Sequence, residues 1–291
     1  MKTYYKHFIW LAGFYLLPGF TFHDAAYEAK LREWHQKRIE SLKAESGWLN
    51  LAGLFWLKEG RNKFGSDETN DILFPKNKSK PFLGEIWVDK GKITLKANPD
   101  AGIFTGDKAV GRLDIFPDET PVTLRHKSLR WFIIKRGEKY AVRLRDLESE
   151  YLKEFTGIER YPAQVNWRVK ARFEPTTGKK VAITDITGRT ADQESPGTLV
   201  FSVKGKEYRL DAVGSLNDLF IIFADHTNNK ETYGAGRFLY SSIEKDGTAW
   251  LDFNKAINPP CAFSPYATCP LPPKQNKLAL AIPAGEKRYS H

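Results

Sequence analysis

Two stretches of this chain hold residue types that could do chemistry. The first is Asp225-His-Thr-Asn-Asn-Lys-Glu231-Thr-Tyr233-Gly-Ala-Gly-Arg237. Asp225 and Glu231 could work as an acid–base pair or hold a divalent cation, Tyr233 could donate a proton, and Arg237 could clamp a carboxylate or phosphate. Gly234 and Gly236 would let backbone approach a ligand closely. Gly-Ala-Gly lacks the third glycine and the βαβ context of a dinucleotide fingerprint. The structural alternative is a β-turn in which Asp225 and Arg237 form an ion pair. His226, the one histidine here, sits beside Thr227, Asn228 and Asn229, a polar run that reads as an exposed turn.

The second stretch is residues 258–276, which holds both cysteines and six prolines in nineteen residues. Proline fixes φ and removes a backbone donor, so the segment is neither a helix nor a central strand. It must be a loop of fixed shape. Cys261 could be a nucleophile, which requires a base and a lowered pKa. A disulfide between Cys261 and Cys269 would instead contribute about 2–3 kcal/mol by restricting the unfolded chain. In the plainest case both are small buried residues. Two cysteines with no adjacent histidine, and not spaced as Cys-x-x-Cys, do not predict a metal site. Asn258 and Asn276 either satisfy the loop's backbone groups or join Tyr233, Arg237 and Tyr266 in lining a pocket. No Gly-x-Ser-x-Gly, His-Glu-x-x-His, Walker-type or EF-hand pattern occurs, and nothing names a cofactor.

These loops need a scaffold, and 291 residues suffice for one large β domain or two smaller ones. Hydrophobic residues make up 41% of the chain, with eight Trp, nineteen Phe and twelve Tyr, which indicates a folded protein and not a disordered one. The net charge of +10 is scattered among acids, with no basic run, so no nucleic-acid partner is predicted. Lys2 and Lys6 precede an apolar run over residues 8–20 that Pro18-Gly19 interrupts. It is shorter than a spanning helix requires and reads as a signal peptide over residues 1–22. The expected location is therefore the periplasm or cell envelope, with no further transmembrane span.

Residues 23–46 carry helical spacing at Tyr27, Leu31, Trp34 and Leu42, with Asp24 as a cap and Gly47 beyond the end. From Trp48 onward short apolar runs alternate with turn residues, the texture of a sandwich or barrel. Arg136-Gly-Glu138 and Lys204-Gly205 mark hairpins, and residues 219–224 read as a strand buried on both faces. The expected fold is mainly β: two packed antiparallel subdomains, over residues 47–152 and 153–291, behind one N-terminal helix.

The strings Gly47-Trp-Leu-Asn-Leu-Ala-Gly-Leu-Phe-Trp-Leu-Lys-Glu-Gly60, Leu144-Arg-Asp-Leu-Glu148 and Lys230-Glu-Thr-Tyr-Gly-Ala-Gly-Arg-Phe-Leu-Tyr240, with the 258–276 loop, resemble the DUF1684 family. That prokaryotic family is named for its lack of a known function, so the resemblance implies an identity without an activity. Phe64-Gly65-Ser66 through Asn70-Asp71-Ile72, with Gly102-Ile-Phe-Thr-Gly106, is similar in strand order to forkhead-associated domains. Ser66 stands where those domains carry Arg, and no Ser-x-x-His follows. That similarity implies a shared fold without the phosphothreonine-binding residues.

Together these features predict a pocket between the 225–237 and 258–276 loops that binds a small polar or anionic ligand. One alternative is a hydrolase using Asp225 and Glu231 or Cys261. Another is a cell-envelope interaction module.

Overall fold

A computed structural model describes residues 24–115 and 121–289. The signal peptide expected over residues 1–22 lies outside the described residues. The expected helix is α1 (Ala25–Lys43), with Asp24 accepting from the Tyr27 amide at 3.0 Å and Leu31 and Leu42 buried. It is strapped to the far end of the chain: Tyr27 Oη donates to Asp252 Oδ1 at 2.6 Å and Arg38 Nε to Glu286 Oε1 at 3.2 Å. No helix among the described residues is long and apolar enough to cross a membrane.

The chain then forms β1 (Leu51–Trp56), β2 (Gly60–Gly65), β3 (Ile72–Leu73), β4 (Gly84–Asp89), β5 (Lys92–Ala97), β6 (Phe104–Thr105), β7 (Lys108–Ala109), β8 (Arg112–Ile115), β9 (Leu124–His126), β10 (Leu129–Arg136) and β11 (Lys139–Asp146). Two sheets result, in the orders β1-β11-β10-β9-β6-β7 and β3-β2-β4-β5-β8. They close on one core in which Phe64, Phe74 and Trp131 pack at ring-centroid distances of 5.3–6.0 Å. Such aromatic pairs are worth about 0.5–1.5 kcal/mol each beyond their buried area.

After α2 (Glu150–Glu154) come β12 (Arg168–Pro175), β13 (Lys180–Thr184), β14 (Thr190–Glu194), β15 (Gly197–Val203), β16 (Lys206–Ser215), β17 (Asp218–Phe223), β18 (Arg237–Ser241) and β19 (Thr248–Asp252). Six of these form the antiparallel sheet β18-β17-β16-β15-β12-β19, while β13 and β14 pair separately. The protein is thus mainly β with an N-terminal helix. The β15–β16 hairpin turns at Lys204 (φ 51°) and Gly205 (φ 76°), the paired positive values that a two-residue turn matching strand twist requires.

The second sheet is covered on both faces. Leu219, Ile221 and Phe223 of β17 pack with Phe201 and with Phe253, Leu278 and Ile282 of the C-terminal segment. Phe220 and Ile222, pointing the other way, pack with Phe238, Ala267 and Cys269. The C-terminal segment meets the sheet in isolated bridges, such as Ala224 with Lys277 and Phe238 with Ile257, and a side chain anchors it as well. Buried Asn276 accepts from the Asp211 amide at 2.8 Å and donates to the carbonyls of Asp211 and Ile222, each at 2.9 Å.

Asn276→Ala would strand three buried backbone groups, and a loss of about 3 kcal/mol in chemical denaturation is expected. A second expectation concerns His126, which is buried with Nε2 unpartnered. Burial holds its imidazole below the ordinary 6.5, outweighing the opposing contact with the Gly102 carbonyl. A folded pKa below the unfolded one gives a contribution that is complete above about 6.5 and lost as pH falls through the depressed value. The denaturation midpoint should therefore drop between about pH 7 and pH 5, and His126→Phe should flatten that drop.

Candidate functional site

The 225–237 loop leaves the end of β17 and returns into β18, and its turn is built by Asp225. Asp225 Oδ1 accepts from the Thr227 amide at 2.8 Å, from Thr227 Oγ1 at 2.6 Å and from the Ile282 amide at 3.3 Å. Its other oxygen, Oδ2, accepts from Arg237 Nη2 at 2.6 Å. Arg237 also donates to the carbonyls of Ala284 and Ile282, and its guanidinium lies 5.3 Å from the Phe223 ring centroid. Both side chains are 0% exposed. Asp225 and Arg237 therefore do not present themselves to a ligand, as the pocket expectation required. They form the ion pair that clamps the C-terminal segment.

The other expected residues divide in the same way. Glu231 is exposed and accepts from Tyr161 Oη, apart from the enclosed Asp225. Asn258 is buried, with its amide N–H donating to Glu286 Oε2 at 2.6 Å and Nδ2 to the Lys287 carbonyl at 2.7 Å. Asn276 is the anchor described above. Tyr266 is 37% exposed, and its amide donates to Ser264 Oγ at 3.3 Å. His226 is exposed.

The two loops do meet. Tyr233 Oη donates to the Cys261 carbonyl at 3.2 Å, and a Cβ on Gly236 (φ 96°) would lie 2.4 Å from Pro272. Cys261 and Cys269 are free thiols in this structure, and the Cys261 amide donates to Cys269 Sγ at 2.9 Å. The Cys269 thiol hydrogen-bonds to Cys261, which lowers Cys261 and, together with burial, raises Cys269. Burial likewise raises Tyr233, so its phenol stays protonated. Among the described residues neither sulfur has a histidine partner, and no group of three or more His, Cys, Asp or Glu is placed to hold a metal ion.

A cleft of about 370 Å³ opens on another side of the Pro-rich loop. One wall is the outward face of β10 and β11: Phe132 and Ile134, with Arg143 and Arg145. The facing wall is Phe220, Phe238 and Tyr240 of β17 and β18, and Ala267 to Pro270 close one end. Strand alternation explains the first wall. Trp131, Ile133, Val142 and Leu144 point into the first core, so their neighbours point out of it.

Arg143 is 6% exposed, yet among the described residues it makes no hydrogen bond or ion pair. Burial, then the nearby Arg136 and Arg145, push its pKa down to about 10. It thus remains a cation at neutral pH, with no counter-charge. Arg145, its neighbour, is held by the Gly47 carbonyl and by Asn50 Oδ1 at 2.8 Å. In the sequence these arginines are part of the +10 charge scattered among acids. The usable signal was Arg143-Leu-Arg145 inside an apolar strand, which puts two guanidinium groups on one face.

Comparison with known proteins places the chain. The model of the family described as "Protein of unknown function (DUF1684)" matches residues 153–287. A solution NMR structure of an uncharacterised protein from Haloarcula marismortui is 30% identical, covering 46% of this chain and 78% of that one, with a TM-score of 0.39. The chain belongs to the DUF1684 family. No curated protein matches it. In this DUF1684 protein the matched segment supplies β17, β18 and the Pro-rich loop, while Arg136, Arg143 and Arg145 lie before residue 153. The cleft therefore has one wall inside the matched segment and one outside it.

The Asp225–Arg237 pair has a measurable signature. Asp225→Leu or Arg237→Leu alone should lower unfolding free energy by about 3–5 kcal/mol by leaving one buried charge unpaired. The double Leu variant should lose less than the sum of the two in the same denaturation assay.

Proposed function

We propose that this chain is a binding protein for a small organic anion, received by Arg143 in the cleft between its two β halves. The observation that carries this reading is a guanidinium that lines the cleft and has no hydrogen-bond or ion-pair partner among the described residues, so that only the cleft's solvent meets it. A largely buried cation met only by cleft water is stabilised further when an anion replaces that water and forms a charge-assisted hydrogen bond. A cleft of about 370 Å³ with aromatic walls and a few convergent polar groups has the size and character of a small-molecule site. The aromatic walls favour an anion with an apolar body over a bare inorganic one. The proposed ligand is still a small anion, and its proposed seat is the Arg143 side of the Pro-rich loop in place of the Asp225–Arg237 side.

The hydrolase reading has less support. Asp225 is committed to Arg237, Glu231 to Tyr161, and the two thiols to each other. Export through residues 1–22 is part of the proposal and rests on the apolar run over residues 8–20.

The test compares Arg143→Met with the parent protein. Titration calorimetry with hexanoate and hexyl phosphate should give one site with a dissociation constant on the order of 1 mM in the parent. Affinity should fall at least tenfold in Arg143→Met, because a hydrogen-bonded charge pair is lost. The variant should fold with a stability within about 1–2 kcal/mol of the parent, since Met keeps the packing of the Arg143 stem and no hydrogen bond or ion pair is lost. No binding by the parent, or equal binding by the variant, overturns the reading.

A further inference from the structure

The outward face that carries Arg143 continues past it in register. Cross-strand partners share a face, so Leu54, Arg143 and Phe132 form one row across β1, β11 and β10. Trp56, Ala141 and Ile134 form the next row, two residues or about 7 Å along the strands. Lys139 and Arg136 form the row after that, where the hairpin ends.

Trp56 is 49% exposed, although its strand neighbours cover one wall of a packed sheet. A second cavity, of about 770 Å³, lies over it and is lined by Trp56, Leu57, Arg136, Lys139, Thr187 and Arg189. Arg136 borders both this cavity and the cleft. From Arg143 outward, the face thus offers an unpartnered cation in the cleft, then an apolar row, then an open shelf around an exposed indole.

Resting on the anion-binding reading above, we infer that the ligand is an extended amphipathic anion, a carboxylate- or phosphate-headed aliphatic chain. Its head sits at Arg143, and its tail runs over Ile134 and the Arg136 stem onto Trp56 and Leu57. A head without a tail would leave the indole and the larger cavity unused. A tail without a head would leave the guanidinium without a counter-ion. A ligand carrying both satisfies the face in the order in which its rows present it. Free alkyl carboxylates and phosphate-headed single-chain lipids share this chemistry.

The test is a chain-length series on the full chain, using carboxylates from hexanoate to dodecanoate and the matching alkyl phosphates, all below their critical micelle concentrations. Affinity should rise about two- to fourfold per added methylene, the gain from moving apolar surface out of water. Trp56→Ser should take away a larger factor of affinity from the dodecyl ligands than from the hexyl ligands. Quenching of tryptophan fluorescence by a chain brominated near its end, lost in Trp56→Phe, places the tail at the indole. The head group that gives the tighter series identifies which of the two sources supplies the ligand.

If the hexyl ligands bind but longer chains bind no tighter, this inference fails while the anion site stands. An equal loss at every chain length in Trp56→Ser has the same meaning. If the hexyl ligands do not bind the parent protein at all, the anion reading itself fails.

Discussion

A strand has two faces, and in this protein both faces of β11 are enclosed. Val142 and Leu144 complete the first core, which leaves Arg143 and Arg145 on the side where β17 and β18 approach. That constraint organises the molecule. The β11 part of the first half's outer face is covered, because the second half and the Pro-rich loop lie against it, while Trp56 at the end of β1 stays exposed. Hydrophobic contact holds much of that junction, with Leu51 packing beside Val213, Ile222 and Phe238. The guanidinium of Arg143 is the place where apolar contact gives way to an unmatched charge. Arg145, two residues on, shows the alternative, since carbonyl and amide oxygens satisfy it.

The C-terminal segment meets a different difficulty. Rich in proline and short of ladder hydrogen bonds, it must still have its buried backbone groups paired. Side chains supply the partners: Arg237 takes the carbonyls of Ala284 and Ile282, Asn276 bridges Asp211 and Ile222, and Glu286 accepts from the Asn258 amide. Residues that look like catalytic equipment in the sequence are therefore consumed in replacing secondary structure. A carboxylate and a guanidinium twelve residues apart read the same on paper whether they face a ligand or each other.

Much of the fold was legible because local rules govern it. The helix cap at Asp24, the hairpin turns at Gly137 and Gly205, and the apolar run of β17 all follow from short-range chemistry. The meeting of the two polar loops at Tyr233 and Cys261 is instead a tertiary contact that no local rule supplies. The cleft was not legible, since its walls come from strands some ninety residues apart and only tertiary packing brings Arg143 opposite Phe220 and Phe238. Period two told which way Arg143 points. It could not tell that a second sheet would be waiting there, so a buried cation passed for a solvated one.

The division of the cleft between the two halves has an evolutionary reading. On the proposed reading, recognition of the head group would depend on β10 and β11, whereas the segment that matches the family, residues 153–287, contributes the opposite wall and the loop that closes the end. Substitutions on one sheet face could retune what the cleft accepts without disturbing the clamp, the anchors or the loop. If the proposed site is right, proteins that share the matched segment need not share a ligand, because the guanidinium lies outside that segment.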